Sequence, residues 1–124
     1  MINIRLGVFE TNSSSVHTMT IASQEDYYKW LKGEIFLVNE DERYYLEKNT
    51  DYNLNNVFVS KDTAKYLYKQ LCKQEKYYPP AFDEIFFTFN KWDDYRDDLY
   101  TYEETYTTKD GEKLIVFGYH GYAG

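Results

Sequence analysis

Apolar and polar residues alternate over positions 2–9. Ile2, Ile4, Leu6 and Val8 fall on one side; Asn3, Arg5, Gly7 and Phe9 fall on the other. A period of two predicts a half-buried strand. The alternation resumes over 16–22, where His17, Met19 and Ile21 oppose Val16, Thr18 and Thr20. The two segments are expected to pair as an antiparallel hairpin. Between them lies Thr11-Asn12-Ser13-Ser14-Ser15, a polar stretch longer than a plain turn needs.

The period then shifts. Ser23 can cap a helix whose first turn holds Glu25 and Asp26, where the helix dipole favours acids. Tyr27, Trp30 and Leu31 form its apolar stripe, and Gly33 stops it. Residues 34–38 read as a strand, 43–46 as a second short one, 48–56 as a loop and 57–59 as a third strand. Ser60 caps the clearest helix, 61–76, with Ala64, Leu67, Tyr68, Leu71 and Cys72 as its buried stripe. Lys61, Lys65, Lys69, Lys73 and Lys76 form most of its solvated side, and Pro79-Pro80 ends the segment. Residues 81–89 are apolar almost all round, as in a buried helix or strand, and 92–100 read as helical or irregular. Asp110-Gly111 between the β-rich runs 102–108 and 113–119 is a strong hairpin signal. The tail, 119–124, is expected to be loose. This order of elements predicts an α+β fold over one domain, 1–124, with an antiparallel-rich sheet and two or three helices.

Composition narrows the class. A chain of 124 residues suits one domain with a single core. Hydrophobic residues at 43% and aromatics at 20% exclude general disorder. Cys72 is the sole cysteine, so no intramolecular disulfide can form, and a reducing compartment is expected. Residues 1–9 lack a signal-peptide pattern, and no run approaches the roughly 18 apolar residues of a membrane span. The expectation is a soluble protein of the cytoplasm. Lys and Arg total 14 against 21 Asp and Glu, a net charge of −7. That balance disfavours direct binding to a phosphate backbone and favours a basic partner, although solubility alone also selects acidic surfaces.

Two places carry candidate chemistry. The first is the polar loop. Its hydroxyls and successive backbone N–H groups could cradle a phosphate. His17 beside Ser13, Ser14 and Ser15 could act as base toward a serine, with Glu10 as the nearest orienting carboxylate. No nucleophile elbow, Walker loop or dinucleotide fingerprint accompanies it. A surface loop whose side chains satisfy their own backbone needs the same residues. The stretch Phe9-Glu10-Thr11-Asn12-Ser13-Ser14-Ser15 with His17 also resembles an N-terminal motif of small, largely uncharacterised proteins of bacteriophages and other mobile elements. The resemblance covers about the first 20 residues. It implies a phage or prophage setting, in a bacterial host cell, and brings no activity with it.

The second place is acidic. Asp93, Asp94, Asp97 and Asp98 form two doublets that a helix would stack along one side. Stacked like charges invite a divalent metal, a row of basic residues on a partner, or simple solvation beside Arg96. An EF-hand loop is excluded by the spacing and the missing glycine. Tyrosines lie among these acids: Tyr95 between the doublets, and Tyr100, Tyr102 and Tyr106 around Glu103-Glu104. Tyrosine supplies contact area at low entropic cost and stacks on guanidinium groups. The expected function is therefore that of a small phage-encoded inhibitory or regulatory protein, of the anti-CRISPR kind, that acts as a nucleic-acid mimic. Asp93, Asp94, Asp97, Asp98, Glu103 and Glu104, with Tyr95, Tyr100 and Tyr102 as anchors, would dock on the basic nucleic-acid-binding groove of a host protein. A CRISPR nuclease, another defence protein or RNA polymerase fits that description. No cofactor or metal is assigned. The alternative is a nucleotide- or phosphate-binding protein, or an enzyme, built on Ser13, Ser14, Ser15 and His17.

Overall fold

Four helices begin at a short polar side chain that caps them. The structure, a computed structural model, describes residues 15–53, 56–74, 78–96 and 98–122, with backbone only for 15–17 and 122. Ser23 Oγ accepts from Asp26 N–H at 3.1 Å and opens α1, Gln24–Leu31. Asn39 Oδ1 accepts from Asp41 N–H at 3.0 Å and opens α2, Glu40–Asn49. Ser60 Oγ accepts from Thr63 N–H at 3.1 Å and opens α3, Lys61–Cys72. A four-residue helix, α4, spans Phe82–Ile85. Thr88 Oγ1 accepts from Lys91 N–H at 3.2 Å and opens α5, Phe89–Tyr95. Gly33, at φ 79°, closes α1: Gly33 N–H reaches Trp30 O at 3.0 Å and Glu34 N–H reaches Lys29 O at 2.9 Å, a paired closure that needs the left-handed backbone. No described helix is long and apolar enough to cross a membrane.

The chain is α+β and packs as two compact units, residues 28–92 and residues 1–27 with 93–124. In the first, β3 (Ile35–Val38) pairs antiparallel with β4 (Phe58–Ser60) and β5 (Phe86–Phe87). Its core joins Val38, Leu46, Val59, Ala64, Leu67, Leu71, Ile85 and Phe86. Trp30 is fully buried beside it. Its ring meets Phe58, Phe89 and Trp92 at centroid distances of 5.6, 5.3 and 5.5 Å, and its indole N–H donates to Phe87 O at 2.9 Å. Asn39 is buried too, and every polar group on it is used: its backbone N–H donates to Ile85 O and its Nδ2 to Glu84 O, both at 2.8 Å.

The second unit is a four-stranded antiparallel sheet. β7 (Lys113–Tyr122) runs through its middle. β6 (Tyr100–Thr107) lies along one side, and β1 (Ser15–His17) and β2 (Thr20–Ser23) lie end to end along the other. The register passes through the break at Thr18–Met19 without a slip, from His17↔His120 to Thr20↔Phe117. Thr18 holds the break: its N–H donates to Tyr119 O at 2.9 Å, and its Oγ1 accepts from Tyr119 N–H at 3.0 Å. Gly118 makes this possible. A Cβ there would stand 2.1 Å from the Thr18 carbonyl oxygen.

Several expectations need correction. Residues 43–46 are helical, within α2; the Asn39 cap and an acidic first turn outweigh a short β-like run. Cys72 is exposed, because it sits at the last turn of α3, past the buried ridge of Ala64, Leu67 and Leu71. That helix ends at Cys72, short of 76. Leu31 is exposed although Tyr27 and Trp30 are buried. Residues 16–22 divide into two strands, and the partner described for both is β7; residues 2–9 lie outside the described residues. Residues 119–122 belong to β7 rather than to a loose tail, because β6 pairs with it as far as His120 and β1 pairs with His120, Gly121 and Tyr122.

Candidate functional site: an acidic, tyrosine-bearing unit

The two units divide the charge unevenly. Residues 28–92 hold ten acids and ten bases, whereas 1–27 with 93–124 hold eleven acids and four bases. The whole net charge of −7 therefore belongs to the sheet unit of 59 residues. All nine residues expected to bind a partner fall in that unit.

Their local arrangement differs from the expected helix face. α5 stops at Tyr95, so only Asp93 and Asp94 are helical; Asp98 lies in the following turn, closed by Leu99 N–H on Arg96 O at 3.0 Å. Asp97 lies outside the described residues. The 94/98 pair is thus not stacked along a helix, because α5 ends at Tyr95, before Asp98. Asp93, Asp94 and Asp98 are exposed, as is Tyr95. Two carboxylates in the last turn of a helix face its negative dipole end, where they weaken the helix rather than support it. A side-chain hydrogen bond from Thr101 to Asp93, at 3.5 Å, is long.

β6 sorts the remaining residues by its pleat. Tyr100, Tyr102, Glu104 and Tyr106 share one face with their cross-strand neighbours His120, Gly118, Val116 and Leu114. Tyr100 is 72% exposed and packs its ring 5.7 Å from His120; Tyr102 is 6.0 Å from the same ring. Ile21, opposite Val116 on β2, adds an exposed apolar side chain to this face. Glu103 is on the other face, above Phe117. There its carboxylate accepts a short hydrogen bond from the buried phenol of Tyr27, whose ring lies 5.1 Å from Phe117. Glu103 is therefore a positioning residue for the core edge, while Glu104 stays on the tyrosine face and accepts from Tyr106 at 2.5 Å. His120 escaped the sequence reading because it lies in the segment read as tail. Its register opposite Tyr100 could have been found only by extending the hairpin two residues past Gly118.

The phenols of Tyr102 and Tyr106 hold their protons more tightly than a free tyrosine. The Tyr106 pKa is raised chiefly by its hydrogen bond to Glu104, with burial and the Glu104 charge adding to it. That of Tyr102 is raised first by burial and then by the charge of Glu104. Tyr102 passes over Gly118 and donates to the Thr18 carbonyl at 2.5 Å, tying β6 to the break between β1 and β2. Tyr102→Phe should cost about 1 kcal/mol, the usual net value of one hydrogen bond. A raised folded-state pKa means this stabilisation is fully present below the ordinary tyrosine pKa near 10 and is lost as pH rises through the folded-state value. Urea unfolding at neutral pH should separate wild type from Tyr102→Phe, and the two should converge at strongly alkaline pH. A gap that persists there would mean the phenol proton is irrelevant.

The surface can therefore form ion pairs and cation–π contacts with a basic partner. Among the described residues, no group of three or more His, Cys, Asp or Glu side chains is placed to hold a metal ion. For the alternative loop, Ser13 and Ser14 lie outside the described residues, and the backbones of Ser15 and His17 lie in β1. No protein-family model, no curated protein and no solved structure matches the chain.

Proposed function

We propose that this chain is a non-catalytic inhibitory or regulatory protein whose acidic, tyrosine-bearing unit docks on a basic nucleic-acid-binding surface of another protein. The observation that carries this reading is the charge division: one unit is neutral, and the other holds the entire −7. Solubility would be served by acids spread over both units. The acids are in fact spread almost evenly, ten and eleven, but the sheet unit carries only four bases against ten, so its acids are left uncompensated beside exposed tyrosines, and two of them sit at a helix end that gains nothing from them. Carboxylates spaced over such a surface occupy positions where the partner holds phosphates, and the tyrosines supply contact area and stacking for arginine. In the phage setting that the N-terminal motif implies, a CRISPR nuclease, another defence protein or RNA polymerase presents a suitable groove.

Affinity capture from a bacterial lysate tests this, with the wild type and the Asp93→Lys/Asp94→Lys/Asp97→Lys/Asp98→Lys variant as parallel baits. The wild type should retain a nucleic-acid-binding protein that elutes as salt rises, because exposed charges are screened beyond about 8 Å at physiological ionic strength. The variant should not retain it. Equal retention by both baits would reduce the acidic cluster to a solvated face.

A further inference from the structure

We infer that the outer edge of β6 is a strand-addition site for an extended basic segment of the partner, an inference that rests on the acidic-surface reading and specifies how the partner is gripped. Among the described residues β6 pairs only with β7, which takes up one side of its backbone over all eight residues, Tyr100–Thr107. Along the other side, every second residue of an edge strand turns its N–H and C=O outward, a template for another strand. Edge strands are commonly protected by proline, lysine, a bulge or shortness. β6 has no proline or lysine, its register against β7 is unbroken, and it is long.

Its charge selects the occupant. Glu103 and Glu104 sit mid-strand on opposite faces. A second copy pairing antiparallel about Glu103 or about Glu104 would set that carboxylate opposite its own equivalent, which like-charge repulsion disfavours. A segment with Arg or Lys at alternate positions is favoured, because it sets a row of cations on one face, opposite Glu104 in one register and opposite Glu103 when turned over. On the face of Tyr100 and Tyr106, guanidinium groups would also find aromatic rings. Main-chain hydrogen bonds would supply affinity, and the charge pattern specificity.

The test uses the full chain and a defined probe, the blocked octapeptide (Arg-Thr)4, with a second peptide of the same sequence N-methylated at every residue. The methylated peptide keeps the charge and loses every backbone donor. Amide exchange by NMR should show the outward β6 amides slowing when (Arg-Thr)4 binds, and the methylated peptide should bind at least about tenfold more weakly. Equal binding of the two peptides without β6 protection would overturn strand addition, and capture of a partner by the wild-type bait alone would show that the acidic-surface reading survives it. Outward β6 amides already protected in the free chain, or protected only as its own concentration rises, would assign the edge to this chain or to a second copy and overturn the proposal. No binding of (Arg-Thr)4 at low salt would overturn it as well.

Discussion

Trp30→Ala is expected to destabilise the 28–92 unit by about 3–5 kcal/mol, the range for removing a large buried aromatic. The side chain is fully buried, and three aromatic rings pack against it within 5.6 Å. Its removal leaves a cavity that those rings cannot fill without leaving their own partners. Since a domain is commonly stable by only about 5–15 kcal/mol, the loss is a large share of the total. Trp30→Phe keeps most of the packing and loses the indole hydrogen bond to Phe87 O, so it should cost clearly less. Urea unfolding followed by near-ultraviolet circular dichroism checks both. If Trp30→Ala unfolds within about 1 kcal/mol of wild type, the aromatic cluster is not the centre of that unit.

Gly118→Ala should cost about 3 kcal/mol or more in the sheet unit, at the upper end of overpacking effects. The added methyl would stand 2.1 Å from the Thr18 carbonyl oxygen and 2.8 Å from its carbon. Both are backbone atoms, so no rotamer change relieves the clash. β1 and β2 would have to leave β7, and the hydrogen bond from Tyr102 to Thr18 would go with them. Gly111→Ala, in the open hairpin turn, should cost less: nothing lies within 4 Å of its would-be Cβ, and only its φ of 85° is strained. Comparing the two unfolding midpoints separates a packing requirement from a turn requirement. Equal costs would contradict this account of Gly118.

Local signals in the sequence were legible where one residue decides the structure. Ser23 and Ser60 cap helices, Gly33 and the Asp110-Gly111 turn close elements, and the Leu67/Leu71 ridge is buried, because each depends on near neighbours. Partners distant in sequence were not. The pairing of β1 and β2 with β7 spans about a hundred residues and has no local signature. The helical state of 43–46 was hidden by Tyr44 and Tyr45, whose β preference is overruled by the Asn39 cap and the burial of Leu46. The candidate site was legible in composition and not in shape. Its acids and tyrosines do share a unit, yet the split of Glu103 from Glu104 follows from the β6 pleat, and the absence of Asp98 from the helix follows from where α5 stops. The uneven charge of the two units needed the fold, because the acidic unit is assembled from both ends of the chain.

The measurement that bears most directly on nucleic-acid mimicry is competition on the captured partner. With that partner immobilised, the binding of wild type and of the Asp93→Lys/Asp94→Lys/Asp97→Lys/Asp98→Lys variant is titrated in the presence and absence of the partner's own nucleic acid. The account predicts that nucleic acid displaces the wild type in proportion to its concentration, that affinity falls steeply as salt rises, and that the variant does not bind. Wild-type binding that nucleic acid leaves unchanged, with the variant binding equally well, would contradict it.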